Sequence, residues 1–213
     1  MKGEEPWVAQ RIAMIDTETT GRDAAEDHIV ELAVVVGQDG KIISRDTWLI
    51  NPGVPIPAET TKVHGISDED VAHKPAFAEV VDEILAALSD AIPAAYNAPF
   101  DRGFLLSEVR RVGRSDLPDV PAVRQRVVWL DPLIWARHLH HKEKSKRLGE
   151  MAKLLGVKLE NAHQATADAE AALEVMYAMG KDDRVPKPYG EMIQEQIRIG
   201  KAQDEARQMW RRR

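Results

Sequence analysis

The chain has 213 residues, 44% of them hydrophobic, and a formal net charge of −6 at pH 7. This length is enough for one domain with a sizeable core and an extension. The sequence contains no cysteine, which excludes disulfides and thiolate metal sites. It has no apolar span of membrane length and no secretory signal, so we expect a cytoplasmic protein with no membrane partner.

Three β-strands are predicted in the first quarter of the chain. Each is a run of apolar and β-branched residues. Gln38-Asp39-Gly40 is a hairpin signal between the second and third runs, and Asn51-Pro52-Gly53 closes the third. Such connections indicate an antiparallel meander. The predicted strands are residues 11–16, 28–36 and 41–50.

Beyond the meander, predicted helices alternate with short strands. Apolar residues recur at helical spacing in residues 76–89, and Gly113 ends a second helix in a C-cap position. Asp131 caps a further helix, with Pro132 in its first turn. This order predicts an α/β fold whose mixed sheet, an antiparallel meander plus parallel strands, is flanked by helices. The other predicted helices begin at Ser67 and span 100–112, 147–155 and 165–179; the short strands are 92–96 and 127–130.

A domain boundary is predicted at residue 180. Pro186 and Pro188 interrupt the chain after the last helix of the domain. Beyond them, apolar residues between Met192 and Trp210 recur at roughly helical spacing. We therefore divide the chain into a domain at 1–180 and a helical extension at 181–213. The apolar stripe of the extension either packs back on the domain or binds a partner.

The first motif whose side chains could take part in catalysis or metal binding is Asp16-Thr17-Glu18-Thr19-Thr20-Gly21, which follows an apolar run. The two-residue period of a strand puts the carboxylates of Asp16 and Glu18 on one face. Such carboxylates repel each other unless a cation neutralises them, and hard divalent cations prefer oxygen ligands. Gly21 allows a tight turn after them. Two solvated acids at a strand end are the simpler alternative.

The second motif, Asn97-Ala98-Pro99-Phe100-Asp101, joins a short strand to a helix. A carboxylate at this position suits the positive end of the helix dipole, so Asp101 is either an ordinary helix-start residue or a ligand. Asn97 is placed to orient Asp101 or to touch a bound substrate.

The third motif, His163-Gln164-Ala165-Thr166-Ala167-Asp168, spans a loop and the first turn of an alanine-rich helix. An imidazole has an ordinary pKa of about 6.5 and can take a proton from water near neutral pH. A surface histidine before an ordinary helix is the alternative. Together the three motifs offer four carboxylates and one imidazole, the groups that a two-metal hydrolytic site with a general base requires.

The three motifs, in this order, resemble those of the DnaQ-like DEDDh 3′→5′ exonuclease family. The resemblance is nearest to the branch of the bacterial DNA polymerase III epsilon (proofreading) subunit and implies a ribonuclease H-like fold. It covers about residues 11–179, because the segments 28–32, 63–69 and 148–157 are similar too. Tyr96 departs from the family, which usually has histidine there.

The resemblance implies hydrolysis of terminal phosphodiesters of DNA with release of nucleoside 5′-monophosphates. Its cofactors would be two divalent cations, Mg²⁺ or Mn²⁺, bridged by Asp16 and completed by Glu18, Asp101 and Asp168. His163 would deprotonate the attacking water. The substrate-binding residues that it implies are Thr17, Thr19, Thr20, His64, Asn97 and Phe100.

The expected partner is a nucleic acid with a free 3′ end, in the first place single-stranded DNA. The acidic net charge fits an enzyme that holds a strand end rather than a long duplex. RNA as the substrate, a proofreading subunit bound to a polymerase or a homodimer through residues 181–213, and a catalytically silent nucleic-acid-binding module stay open as alternatives. A basic run near the third motif is either a solvated loop or a phosphate-steering loop: Lys142, Lys144, Lys146 and Arg147.

Overall fold

The computed structural model describes residues 3–159 and 164–211. Its four strands are β1 (Ile12–Thr19), β2 (Ile29–Gln38), β3 (Lys41–Leu49) and β4 (Ile92–Ala94). They form one sheet in the order β3-β2-β1-β4. The first three strands are antiparallel neighbours, and β4 runs parallel to β1.

Eight α-helices occur in the described part of the chain. They are α1 (Ala58–His64), α2 (Asp68–Val71), α3 (Phe77–Ala87), α4 (Pro99–Val112), α5 (Pro132–Leu139), α6 (Leu148–Leu155), α7 (Ala165–Met179) and α8 (Tyr189–Arg211). No described helix has the length and apolar character that a membrane-spanning segment needs.

Both faces of the central strands β1 and β2 are largely buried, and alternate residues of β1 point to the two faces of the sheet. Ile12 and Met14 belong to a core with residues of α5, α6 and α7. Ala13 and Ile15 belong to a second core with residues of α3 and α4. The two-residue period of the strand produces this division. The resulting helix–sheet–helix layering confirms the predicted fold class.

The predicted hairpin connects β2 and β3. Asp39 and Gly40 have φ values of 52° and 72°, the left-handed conformations that a tight two-residue turn requires. A glycine and an aspartate tolerate this region better than most residues. The turn chemistry therefore supports the register of the meander.

Two elements differ from the sequence prediction. The predicted strand at 127–130 is reduced to an isolated bridge between Ala94 and Leu130. A helix, α1, forms in the proline-bearing segment after β3, where none is predicted. Its formation is compatible with proline because Pro57 precedes the first helical residue and so interrupts no helical hydrogen bond.

The first half of α8 packs back on the domain. Met192 and Ile199 are buried in the core that α5 and α7 also line. Gln203 Nε2 donates to the Ile134 carbonyl at 3.0 Å. Residues 204–210 of the helix are exposed, and Trp210 near its end is 79% accessible. The domain boundary at residue 180 stays a prediction.

Candidate active site

The acidic residues of the first and third motifs meet at one end of β1. Asp16 and Glu18 lie on β1, and α7 packs across β1 and β2 so that its first turn brings Asp168 beside them. One carboxylate oxygen from each of the three residues lies within 4.8 Å of the others. A group of this size and chemistry is suited to a hard divalent cation.

Asp101 approaches from the first turn of α4. It is buried, and its Oδ1 accepts a hydrogen bond from Thr17 Oγ1 at 2.8 Å. Asp101 is outside the close group of three carboxylates. Its charge nevertheless acts on Asp16, which places the second motif in the same electrostatic site.

Burial raises the pKa values of Asp16, Glu18 and Asp101, and repulsion from neighbouring carboxylates raises those of Asp16 and Glu18 further. The pKa of Asp16 stands well above its ordinary value, first because of burial and then because of the charges of Asp101, Asp168 and Glu18. Burial and neighbouring charges raise the pKa of Glu18 from 4.5 to about 8. Burial raises the pKa of Asp101 from 3.8 to about 7. A positive ion would remove the repulsion that makes ionisation of this cluster costly.

Glu31 is a fifth carboxylate at the site, and sequence reasoning gave it no role. It lies opposite Glu18 across the β1–β2 pair. Its Oε2 accepts a hydrogen bond from the N–H of Ala165, the first residue of α7, at 3.0 Å. The signal that could have found it is an acid inside the otherwise apolar run of β2. Glu31 links the sheet to the helix that carries Asp168.

His163 lies outside the described residues. Its predicted role as general base therefore stays a prediction.

The three threonines of the first motif are buried and hydrogen-bonded within the protein. Thr19 Oγ1 donates to the Gly21 carbonyl at 2.5 Å, and Thr20 Oγ1 accepts from the His28 N–H at 3.0 Å. Gly21 leaves room for the Asp27 carboxylate, because a Cβ at this position would overlap Asp27 Oδ2 and would displace that side chain. These contacts shape the turn that follows Glu18. Substrate contact by Thr17, Thr19 and Thr20 stays a prediction.

A second network holds the segment after that turn. Arg111 of α4 donates to the carbonyls of Ala24 at 3.1 Å, Ala25 at 2.7 Å and Asp27 at 2.8 Å. Its guanidinium also pairs with the buried Glu108 at 2.9 Å. A guanidinium group has five N–H donors and can bind several carbonyls at once, so this one side chain holds residues 24–27 in place. No sequence motif indicated this clamp.

The structure describes the surroundings of two further predicted substrate contacts, His64 and Phe100, whose substrate-binding role stays a prediction. His64 is buried at the end of α1, and its Nδ1 accepts from the Ile66 N–H at 3.1 Å. Burial lowers the pKa of His64, and the Thr19 carbonyl opposes that shift. Phe100 packs against Phe104 with ring centroids 4.9 Å apart, on the α4 side of the sheet.

Asn97 lies beside the acidic cluster in a cleft of about 840 Å³. Asp16 and Asp168 line this cleft, and basic side chains line it as well: Arg137, Lys146 and Arg147. Tyr96, the departure from the family pattern, also lines it and donates its hydroxyl to the Lys146 carbonyl at 2.5 Å. The cleft thus combines the carboxylates of Asp16 and Asp168, which suit cations, with cationic groups that suit phosphates.

Comparison with known proteins identifies the class. The exonuclease family model RNase_T matches residues 13–176. The chain belongs to this exonuclease family, which confirms the DnaQ-like resemblance.

A relative and two solved structures extend this result. The chain is 34% identical over 191 residues to the PolC-type DNA polymerase III of Lacticaseibacillus paracasei, over 89% of this chain but 12% of the relative's length. Exonuclease X in complex with 5′ overhanging duplex DNA shares the fold at 22% identity and a TM-score of 0.65, over 85% of this chain and 98% of that one. The zinc-bound form of an E. coli ExoI–ssDNA complex also shares the fold, at 19% identity and a TM-score of 0.70. The match covers 82% of this chain and 41% of that chain.

Proposed function

We propose that this chain is a metal-dependent 3′→5′ exonuclease of the DEDDh type that removes nucleotides from a free 3′ end and releases nucleoside 5′-monophosphates. The observation that carries the proposal is the meeting of Asp16, Glu18 and Asp168, from separate motifs, within 4.8 Å. All three residues lie within the part of the chain, residues 13–176, that matches the exonuclease family, which supports a role of the cluster in phosphodiester hydrolysis.

The donor set fits divalent cations such as Mg²⁺ or Mn²⁺. Asp16, Glu18 and Asp168 supply closely spaced oxygen atoms, and Asp101 supplies a further carboxylate from α4. When bound, such ions supply charge stabilisation of the attacking and leaving oxygens in phosphodiester cleavage. Burial first, and then repulsion from neighbouring carboxylates, raises the pKa values of Asp16 and Glu18, and bound cations would relieve the repulsion.

The cleft supports a nucleic-acid strand as the substrate. Its cationic side chains, Arg137, Lys146 and Arg147, line the same cleft as Asp16 and Asp168. Phosphates of a strand whose end reaches Asp16 would lie along these cations. We propose single-stranded DNA as the first substrate, with RNA as the competing outcome of the test.

His163 is the proposed general base. It precedes the first turn of α7, five residues before Asp168 in the sequence. We infer from this short separation that the imidazole lies near the carboxylates. An imidazole can accept the proton of an attacking water near neutral pH.

A proofreading role is a second candidate. The observation that favours it is the 34% identity to one segment of a PolC-type DNA polymerase III. In that role the exposed residues 204–210 of α8 would be available to contact a polymerase or a second copy of the chain.

The deciding experiment is cleavage of matched DNA and RNA oligonucleotides by the purified chain. Each oligonucleotide is labelled at its 5′ end and offered single-stranded, paired or with a 3′-phosphate. We expect a Mg²⁺- or Mn²⁺-dependent ladder shortening from the 3′ end, loss with EDTA, and a block by the 3′-phosphate. Cleavage of a circular single strand would overturn the exonuclease proposal. Metal-independent binding without turnover would instead support the silent binding module.

A further inference from the structure

The side-chain amide of Gln196, on α8, lies along the outer edge of residues 129–131. Gln196 Nε2 donates to the Trp129 carbonyl at 2.9 Å, and Gln196 Oε1 accepts from the Asp131 N–H at 2.9 Å. The other edge of this segment pairs with β4 at Leu130. Because successive strand residues direct their backbone groups to opposite edges, one side-chain amide takes the place of a neighbouring strand.

Asp131 in turn holds the turn that leads into α4. Its two carboxylate oxygens accept from the N–H of Asn97 at 3.0 Å and the N–H of Ala98 at 3.1 Å. Asn97 has a φ of 78°, a conformation that a non-glycine residue keeps only when its surroundings hold it. Asp101 follows in the first turn of the same helix. The position of the Asp131 carboxylate therefore governs where α4 starts.

We propose that Gln196 is a positioning residue of the active site, acting through Asp131 on the turn that carries Asp101. The proposal rests on the proposed function, in which Asp101 is a ligand of the catalytic metal ions. It makes α8, which lies beyond the family match at 13–176, a support of the catalytic centre.

Burial makes this connection rigid. Gln196 is 2% exposed and Asp131 is 4% exposed, so water cannot replace a lost partner without rearrangement. Without the Gln196 amide, the outer edge of segment 129–131 loses both of its hydrogen bonds, while the bridge of Leu130 to β4 and the cap that Asp131 forms on the Leu133 N–H at 2.9 Å remain. We expect the Asp131 carboxylate to shift as a result. A displacement of about 1 Å at a catalytic group is enough to slow a reaction by roughly 100-fold.

The test uses Gln196→Met, which keeps the side-chain volume and removes both hydrogen bonds. Gln203→Met is the matched control, since Gln203 lies two turns further along α8 and its Nε2 bonds the Ile134 carbonyl instead. We expect Gln196→Met to lower kcat on a single-stranded oligonucleotide by about 10-fold with KM unchanged. By NMR of the metal-free protein, it should also speed amide exchange at Asn97 and Ala98. Gln203→Met should change neither.

The two readouts separate this proposal from the proposed function. If the wild-type chain cleaves no nucleic acid, the proposed function fails, while the exchange rates still decide the role of Gln196. Equal exchange at Asn97 and Ala98 in the two variants would overturn the proposal. If Gln196→Met does not fold, Gln196→Glu replaces it, because this variant loses the donor to the Trp129 carbonyl and sets a repelling carboxylate oxygen against that carbonyl. Wild-type exchange at both amides in Gln196→Glu would overturn the proposal as well.

Discussion

Glu31 Oε2 and the backbone N–H of Ala165 are joined by a 3.0 Å hydrogen bond between residues 134 positions apart. The bond fastens the first turn of α7, which carries Asp168, to β2 of the sheet. The carboxylate also satisfies one of the free N–H groups at a helix start and lies at the positive end of the helix dipole.

Replacement of Glu31 should therefore destabilise the start of α7. We expect Glu31→Ala to lower the free energy of unfolding by about 1 kcal/mol, as loss of a helix cap does. Glu31→Gln keeps an acceptor for the Ala165 N–H and should lose clearly less. Chemical denaturation of the metal-free protein measures both. Equal losses in the two variants would mean that the charge, and not the hydrogen bond, is what matters.

The metal-free protein should lose stability as pH rises. The pKa of Glu18 is raised from 4.5 to about 8, and that of Asp101 from 3.8 to about 7. The folded state thus holds protons more tightly than the unfolded state, so the stabilisation is complete below about pH 4 and disappears as pH passes through 7 to 8. Thermal melts in EDTA between pH 5 and 9 measure this slope. Added Mg²⁺ should oppose it most strongly at high pH, because it binds the ionised carboxylates.

Removal of single carboxylates should abolish cleavage and leave the fold intact. We expect this of Asp16→Ala, Asp101→Ala and Asp168→Ala, since each variant lacks one proposed oxygen ligand. The metal-free variants should be slightly more stable than the wild type, because repulsion within the cluster falls. Asp183→Ala, at an exposed acid, is the control and should cleave normally. A near-wild-type rate in Mg²⁺ for any of the three site variants would make the two-metal assignment wrong.

The rate of cleavage should rise with pH through roughly 6 to 8, as an imidazole base with a pKa near 6.5 loses its proton. His163→Ala should lower turnover by about 10²–10⁴ and remove that rise. Single-turnover rates across this range, at saturating Mg²⁺, measure both effects. An unchanged pH profile in His163→Ala would exclude His163 from the mechanism.

Shortening the chain should reveal how much of α8 the domain needs. A chain ending at Gln203 keeps the buried Met192, Gln196 and Ile199 and should fold and cleave as the full chain does. A chain ending at Gly180 removes all three and should melt at a lower temperature. Circular dichroism melts with parallel cleavage assays compare the two. Full stability of the shorter chain would instead support a domain complete at residue 180.

The sequence by itself determined the class of fold and the main candidates for chemistry. Apolar runs, the Asp39-Gly40 turn and helical periodicity are local signals, and they predicted the meander and most helices because each depends on residues close in the chain. The three motifs indicated Asp16, Glu18, Asp101 and Asp168 in the same local way. The structure brings Asp16, Glu18 and Asp168 together.

Only the tertiary structure decided which other side chains support those residues. Glu31 meets Ala165, and Gln196 meets Trp129 and Asp131, across 134, 67 and 65 positions of sequence. Residues 127–130 illustrate the same limit, since the partner at their outer edge is a side chain of a distant helix. Such contacts arise when packed layers bury polar groups that must then find a partner wherever the fold supplies one. Local sequence patterns carry no record of which distant residue that will be.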